Sequence, residues 1–305
     1  MPYFSIIIPV YNKVRFIKET INSVLAQTFT DFELIIINDG STDGSENAIT
    51  AFTDPRIKYF TQQNQGVSAA RNLGISKASA DYITFLDADD IWNLEFLEEM
   101  RQLIRDYPSE KVYSAAIETE SAHRTISAKY SLDITKGIQV VNYFTASLRE
   151  TIICTSCAVF HREVFETAGD FDKTLKSGED TDLWIRIGLR YNVVFNPKIL
   201  ARYVYSEDSL SKRTVSDIDL DKYSAAEPEN KDLQNFLDLN RFSLAIKAKL
   251  SGEKARSRAL ASRINLKHLS FKKQLLLKLP ACILRKLLAI QKALVQKGFA
   301  SGNFK

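Results

Sequence analysis

Short apolar runs alternate with amphipathic segments through the first third of the chain. Four of the runs are typical of buried strands, namely FSIIIPV (4–10), FELIIIN (32–38), RIKYFTQ (56–62) and DYITFLD (81–87). Four other segments carry hydrophobic residues at helical spacing and predict helices at 14–27, 42–52, 66–78 and 94–104. We expect Ser41, Thr42 or Asp43 to cap the second of these helices. The alternation predicts an α/β fold with a mainly parallel sheet covered by helices on both faces.

The middle of the chain is less regular, and its last part is helical. The patterns predict strands at 111–118 and 154–160, a helix at 179–191 and a closing pair of strands at 193–206. From about Leu233 onward the hydrophobic spacing predicts helices only. We therefore expect an α/β domain at 1–225 and a helical extension at 226–305.

Three carboxylates stand close together in YITFLDADDIW, where the fourth predicted strand ends. Asp87, Asp89 and Asp90 repel one another, and each resists leaving water. Asp89 or Asp90 could cap the following helix, but a cap does not explain the spacing. Mg²⁺ and Mn²⁺ bind carboxylate oxygens, and Mg²⁺ needs only one or two when substrate phosphates supply further ligands. Because ligands bind at the carboxyl ends of parallel strands, the motif predicts a metal site formed by Asp87 and Asp89.

The charge is distributed unevenly. The formal net charge is +4, yet residues 241–305 hold 16 Lys or Arg and a single acidic residue, Glu253. Within this part, residues 271–299 are amphipathic, and Pro280 divides them into two helices. One face carries Ile283, Leu287, Ile290 and Leu294. A basic amphipathic helix is typical of contact with an anionic membrane surface. Packing against the rest of the chain or a second subunit is the alternative, and no nucleic acid is expected.

The cysteines and the N-terminus indicate a compartment. Cys154, Cys157 and Cys282 form no disulfide framework, and no second pair of zinc ligands follows the CxxC pair. Such cysteine usage fits a reducing cytoplasm. The N-terminus, MPYFSIIIPVYN, does not resemble a signal peptide, and no apolar run is long enough to cross a bilayer. We expect a cytoplasmic protein that lies peripherally on the cytoplasmic face of a membrane.

Five motifs in order resemble those of family 2 glycosyltransferases, which have the GT-A fold. They are SIIIPVYN, IIINDGSTDGS, NQGVSAARNLGI, FLDADD and SGEDTDLWIR, and they span about residues 3–210. The resemblance implies an inverting enzyme that moves a sugar from a nucleoside diphosphate sugar, with UDP as the expected nucleotide. The expected acceptor is a saccharide or a lipid-linked saccharide in cell-surface polysaccharide synthesis. Residues 1–110 would bind the nucleotide sugar, and residues 111–225 would bind the acceptor.

The resemblance also implies which residues bind the base and the ribose. Pro9, Val10 and Tyr11, where the first strand ends, would line the base and the ribose. Asp39 would accept a hydrogen bond from N3–H of the base. The alternative for Asp39 is an Asx turn before Gly40.

Three further residues would lie near the diphosphate. Arg71 would hold Asp39 or a phosphate, unless it is a surface charge of its helix. Asp87 would contact the ribose or the ion, and Asp89 would ligate the Mg²⁺ or Mn²⁺ that bridges the diphosphate. A divalent cation there would neutralise the negative charge that develops on the departing nucleotide.

Two acidic residues in SGEDTDLWIR are candidates for the general base that the acceptor hydroxyl needs. In similar enzymes the Asp of this pair takes the proton, so the resemblance assigns Asp180 as the base and Glu179 as the residue that orients the acceptor or the loop. The alternative is that the helix dipole favours both in a first turn. Trp184 would pack beside the acceptor sugar or in the core.

The chain departs from the family pattern at one motif, and other functions stay open. The family often has Tyr-Arg-x-His-x-x-Ser-x-Ser after its last strands, where this chain has YVYSEDSLS, with Val204 and Ser206 in place of Arg and His. Glu207 or Asp208 could substitute for the His, and a metal-independent enzyme is the alternative. A catalytically weak sugar-nucleotide-binding or scaffold protein of the same fold is a second hypothesis. A phosphatase of the haloacid dehalogenase type, which also has DxD after a strand, is a third. We expect no ligand role for His123, His161 or His268.

Overall fold

The computed structural model describes residues 1–121, 124–204 and 216–296, without the side chains of 121, 124 and 291–296. The chain divides into two compact units, residues 1–210 and 211–305. All described strands belong to the first unit, and the second is helical over its described part.

The first unit opens with the strand and helix alternation that the apolar runs predict. Its elements are β1 (Phe4–Val10), α1 (Ile17–Leu25), β2 (Phe32–Asn38), α2 (Ser45–Thr50), β3 (Ile57–Thr61), α3 (Val67–Lys77), β4 (Tyr82–Phe85), β5 (Ile91–Trp92) and α4 (Phe96–Asp106). The four predicted strands and four predicted helices are confirmed. Strands β1 and β2 are buried along their whole length, as expected for strands covered on both faces.

The rest of the first unit contributes the second half of the sheet. Its elements are β6 (Val112–Ser121), β7 (Arg124–Ser127), β8 (Gln139–Val141), α5 (Tyr143–Ala146), β9 (Ala158–His161), α6 (Glu163–Ala168), α7 (Glu179–Gly188) and β10 (Val193–Val204). The prediction of a pair of strands at 193–206 is wrong over its described part, which is the single strand β10. Its parallel pairing with β6 is irregular between Asn196 and Ala201, so the chain passes Pro197 by bulging and does not turn back.

The order of the strands reverses beside β1, which is where open α/β sheets have a crevice. The sheet runs β3-β2-β1-β4-β9-β6-β10-β5, with β7 beside β6 and β8 beside β10. Pairing is parallel from β3 to β4, and β9 is antiparallel between β4 and β6. The chain moves outward from β1 to β3 and then returns to the other side of β1 to form β4. At such a reversal the connections after the two flanking strands, here β1 and β4, diverge, and ligands bind at their carboxyl ends.

Helix α3 lies close against β1. Gly74 makes this approach possible, because a Cβ at this position would lie 2.3 Å from Cγ2 of Ile7. The same helix carries Arg71, so the close packing also fixes where that side chain begins.

Two local expectations are wrong. None of Ser41, Thr42 and Asp43 is the N-cap of α2, which begins after Gly44 in the left-handed conformation, with φ 90°. Cys154 and Cys157 do not lie inside a strand, because a 3₁₀ turn at Thr155–Cys157 precedes β9.

The second unit contains α8 (Lys231–Ser251), α9 (Lys254–Ser262), α10 (Phe271–Lys278) and α11 (Ala281–Gln296), with 3₁₀ turns at Leu220–Tyr223 and Leu266–His268. The predicted break at Pro280 is confirmed, since α10 and α11 flank it. Among the helices of the described part, none combines the length and the apolar character needed to cross a bilayer.

Candidate functional site

Charged side chains lie together at the carboxyl edge of three neighbouring strands. Lys13 follows β1, Asp39 follows β2, and Asp87 and Asp89 follow β4. Because β1 pairs in parallel with both β2 and β4, the three loops meet at one edge of the sheet. The structure thus brings together the residues that the strand-end argument selects.

The loop after β1 is fixed to the start of α2. The backbone N–H of Lys13 donates to Oγ of Ser45 at 2.8 Å, and that of Val14 donates to Oδ2 of Asp43 at 2.9 Å. The other carboxylate oxygen of Asp43 accepts from the hydroxyl and the backbone N–H of Ser45. Asp43, expected as a helix cap, instead holds the backbone from which Lys13 projects.

Asp39 is buried and organises the loop after β3. Its carboxylate accepts three hydrogen bonds, from Nε2 of Gln62 at 2.7 Å, the N–H of Gln65 at 2.9 Å and the N–H of Gly66 at 2.9 Å. The turn before Gly40 is closed by Asn38, whose Oδ1 accepts from the N–H of Ser41 at 3.0 Å. Asp39 is therefore held at the edge of the crevice, with much of its acceptor capacity already used by the protein.

The end of β1 supplies one exposed ring. Pro9 and Val10 are buried in the sheet, and the carbonyl of Val10 accepts from the N–H of Asp39 at 2.8 Å. The side chain of Tyr11 is exposed. Of the three residues assigned to the base and ribose, Tyr11 is thus the one whose side chain faces solvent.

Each carboxylate of the DADD motif has its own protein partner. Asp89 forms an ion pair with the ammonium of Lys13. Oδ1 of Asp87 accepts from Nη2 of Arg71 at 2.8 Å. Oδ2 of Asp90 accepts from the hydroxyl of Ser156 at 2.5 Å, and its Oδ1 accepts from the N–H of Val204 at 3.3 Å. The expectation that Asp89 or Asp90 caps a helix is wrong, because β5 follows the motif and α4 begins only at Phe96.

Burial and repulsion between the carboxylates raise the pKa values of Asp89 and Asp90. Burial raises the pKa of Asp89, Lys13 lowers it in part, and Asp87 raises it further. Burial and the charge of Asp87 hold the pKa of Asp90 well above its usual range. The side chains around the motif therefore compensate its repulsion only in part.

Arg71 connects the two halves of the site. Its side chain is 5% exposed, so it is not a surface charge of its helix. Nη2 contacts Asp87, and Nη1 lies 3.1 Å from Oε1 of Glu179. The guanidinium also lies over the ring of Phe171, 5.0 Å from its centroid. Among the described contacts Arg71 pairs with Asp87 and Glu179 and not with Asp39, which was one of the two partners expected for it.

Helix α7 presents the candidate base. Gly178, in the left-handed conformation, precedes Glu179 and Asp180 in the first turn. Burial raises the pKa of Glu179, Arg71 lowers it in part, and Asp180 raises it further. Oδ1 of Asp180 accepts from the N–H of Thr181 at 2.5 Å. The two carboxylates therefore differ in their partners. Glu179 pairs with Arg71, whereas Asp180 accepts a hydrogen bond from the backbone of its own helix.

Trp184 of the same helix was expected either beside the acceptor sugar or in the core. Trp184 is a core residue, buried and stacked on Phe160 with ring centroids 5.2 Å apart. Ser206, Glu207 and Asp208 lie outside the described residues, as does His123.

Sequence reasoning missed Lys13 and Ser156. Lys13 directly follows the first motif, SIIIPVYN, so its position at a strand end was a usable signal. Ser156 lies between two cysteines, and nothing in the sequence connects it to a motif 66 residues away. Within the described chain no group of three or more His, Cys, Asp or Glu is placed to hold a metal ion.

A family model and curated relatives both show that this chain is similar to glycosyltransferases. The model described as Glycosyl transferase family 2 matches residues 5–169. An uncharacterized glycosyltransferase of Rickettsia conorii is 35% identical over 228 residues, which is 72% of this chain and 35% of the relative. An uncharacterized glycosyltransferase of Haemophilus influenzae is 49% identical over 102 residues, which is 32% of this chain and 41% of the relative. The matched part of the chain spans about a third of the length of the Rickettsia protein.

A solved structure has the same fold. TarS 1–349 of S. aureus, in its complex with UDP-GlcNAc, superimposes with a TM-score of 0.68 at 19% identity and covers 90% of this chain and 83% of that one. The likeness confirms the α/β fold of the GT-A type that the motifs predict.

Proposed function

The chain belongs to glycosyl transferase family 2, and from that premise we propose that it is an inverting glycosyltransferase. It moves a sugar from a nucleoside diphosphate sugar, with UDP as the nucleotide, to a hydroxyl of a saccharide or lipid-linked saccharide in cell-surface polysaccharide synthesis. The observation that carries the proposal is the cluster of Asp39, Asp87 and Asp89 at one strand edge, joined through Arg71 to the first turn of α7. This cluster offers a donor site and a base in one crevice.

The donor site is the part of the crevice between β1 and β2. The carboxylate of Asp39 would accept from a pyrimidine N3–H, and Tyr11, whose side chain is exposed just after β1, would line the base. The TarS structure of the same fold was solved with UDP-GlcNAc, which supports a UDP sugar as the donor here.

The residues present fit a divalent cation at Asp87 and Asp89. Burial and Asp87 raise the pKa of Asp89, so added positive charge would favour its ionised form. Two carboxylates and the oxygens of a diphosphate are a suitable ligand set for Mg²⁺ or Mn²⁺. When bound, such an ion neutralises the charge that develops on the leaving diphosphate.

Asp180 serves as the general base. Its carboxylate accepts the proton of the acceptor hydroxyl while that oxygen attacks the anomeric carbon. The new C–O bond forms on the face opposite the departing diphosphate, and the bond to the diphosphate oxygen breaks with its electron pair. Glu179, held by Arg71, positions the start of the helix that carries the base.

The second unit contributes a surface for the membrane that holds a lipid-linked acceptor. Among the described side chains of α10 and α11, five large apolar ones are exposed, and they follow helical spacing within each helix. They are Phe271, Leu275, Ile283, Leu287 and Ile290, which we name the outer strip. Leu276 and Leu284 face inward and are buried, so the outer strip is not the face that packs within the unit. Lysines beside the strip give it the charge that anionic lipid headgroups attract.

Calorimetry with UDP, with and without Mn²⁺, tests the donor site. We expect binding that requires Mn²⁺ and that Asp89→Asn weakens at least tenfold, about 1.4 kcal/mol. Equal binding with and without Mn²⁺ would show that the enzyme is metal-independent.

UDP release from UDP-hexoses, with water as acceptor, tests the chemistry. We expect Asp180→Asn to abolish release while UDP still binds, and Asp106→Asn, at an exposed carboxylate of α4, to change neither. UDP binding without release from UDP-hexoses or transfer to saccharides in the wild type would favour the scaffold hypothesis.

A further inference from the structure

The ion pair between Lys13 and Asp89 joins the loops after β1 and β4. Lys13 follows β1, Asp89 follows β4, and these strands are parallel neighbours. The side chain of Asp89 is 15% exposed and that of Lys13 is 30% exposed. The backbone of Lys13 is fixed by Ser45, but its four-carbon stem can swing.

The partners of the other two carboxylates are fixed. Arg71 is held by Asp87, Glu179 and the ring of Phe171 at once. Asp90 is buried with Ser156 and a backbone N–H. Of the three partners in this motif, Lys13 is therefore the one that is both charged and able to move.

An ammonium and a divalent cation compete for the same carboxylate. The ammonium of Lys13 contacts Oδ2 of Asp89, and a cation ligated by Asp89 would lie close to that positive charge. Two positive charges about 4 Å apart repel each other strongly near a protein surface. Lys13 must therefore leave Asp89 when a cation binds there, and a diphosphate in the crevice would give it new oxygen partners.

We propose that Lys13 takes the place of the cation in the donor-free protein and moves from Asp89 to the diphosphate when donor and cation bind. The inference rests on the proposed function, because it needs a diphosphate and a cation in this crevice. Lys13 then disfavours the cation alone and favours the cation together with the donor. The consequence is that the two ligands bind with strong mutual dependence.

Two binding measurements on Lys13→Met test this in opposite directions. Without nucleotide, Mn²⁺ should bind the variant about tenfold more tightly than the wild type, because its competitor is gone. With saturating Mn²⁺, UDP should bind the variant about tenfold more weakly, because a phosphate partner is gone. Both factors lie within the usual range of coupling between two ligands. Lys18→Met, at an exposed lysine of the following helix, is the matched control and should change neither value.

The outcomes separate this inference from the function on which it rests. Unchanged values for both ligands, or weaker binding of both, would overturn the role of Lys13 and leave the donor site in place. Wild-type protein that binds neither UDP nor Mn²⁺ would overturn the proposed function and this inference with it. Lys13→Gln, measured in the same way, provides a second variant if Lys13→Met does not fold, and a shift of both values in the stated directions would again support the proposal.

Discussion

Arg71 lies between Asp87 and Glu179, with Nη1 3.1 Å from Oε1 of Glu179 and Nη2 2.8 Å from Oδ1 of Asp87. Burial lowers the pKa of the guanidinium, and the two carboxylates raise it by more. One positive charge is therefore shared by a carboxylate at the end of β4 and another at the start of α7. Arg71 thus positions both Asp87, a carboxylate of the proposed donor site, and the helix that bears the candidate base.

Removing the positive charge of Arg71 should lower the stability of the fold. Arg71→Met leaves Glu179 buried without a cation, so we expect the free energy of unfolding to fall by about 3–5 kcal/mol. Urea unfolding at neutral pH measures it. Adding Glu179→Leu to Arg71→Met removes the unpaired buried charge and should recover part of the loss. A double variant less stable than Arg71→Met would show that the unpaired charge of Glu179 is not the cause of the lost stability.

The packing of α3 on β1 predicts a second effect. Gly74→Ala gains about 1 kcal/mol of helix propensity, but its Cβ would lie 2.3 Å from Cγ2 of Ile7 in a buried strand. Overpacking of this kind costs about 1–3 kcal/mol or more, and a contact so short belongs at the upper end. We expect a net loss of roughly 2 kcal/mol in urea unfolding, and less than additive losses when Ile7→Ala is combined with it. Ser76→Ala, at an exposed position of α3, is the control, and equal effects of the two substitutions would contradict the clash.

Most of the sheet and the location of the site could be predicted from the sequence. Continuous apolar runs such as FSIIIPV predict buried parallel strands, and Asp39 and Asp87 follow such runs, so the strand-end rule selects both. These are local signals, because a strand and the residue after it are adjacent in the chain. The single strand β10 was not predicted, since Pro197 is typical of a turn and a bulge has no comparable local signal.

The partners of the carboxylates could not be predicted in the same way. Lys13 and Asp89 are 76 residues apart, and Arg71 and Glu179 are 108 apart. Each pairing depends on the strand order and on where a helix comes to lie, which the order of motifs does not specify. The cation argument for the DADD motif was therefore incomplete, because protein side chains supply part of the compensation.

Glu33, near the start of β2, also has partners that are distant in the sequence. Its environment predicts that the stability of the fold depends on pH. Burial alone would raise its pKa, but the ion pair with Lys58 and hydrogen bonds from Ser5 and Ser79 lower it from 4.5 to about 2. A lowered carboxyl pKa stabilises the fold above 4.5, and this contribution is lost as the pH falls from about 4.5 towards about 2. The full contribution is of the order of 3 kcal/mol.

Comparison of wild type with Glu33→Gln measures this contribution. Urea unfolding should show the variant less stable at neutral pH by up to about 3 kcal/mol, with a difference that narrows as the pH is lowered below 4.5. Glu19→Gln, at an exposed carboxylate of α1, should follow the wild type at every pH. A difference between wild type and Glu33→Gln that stays constant with pH would mean that the ionised carboxylate is not the source.

The outer strip predicts binding to anionic lipid. Protein of residues 1–305 should sediment with vesicles of phosphatidylglycerol and phosphatidylcholine, bind vesicles of phosphatidylcholine alone much more weakly, and dissociate as salt is added. Leu287→Ser with Ile290→Ser should reduce binding at least tenfold, since each methylene withdrawn from the interface costs about 0.8 kcal/mol. Ile134→Ser, at an exposed apolar residue of the first unit, should have no effect. The alternative outcome is that the wild type binds neither kind of vesicle and forms dimers, and that the double substitution Leu287→Ser with Ile290→Ser dissociates them. The outer strip would then be a subunit interface, and the membrane assignment would be wrong.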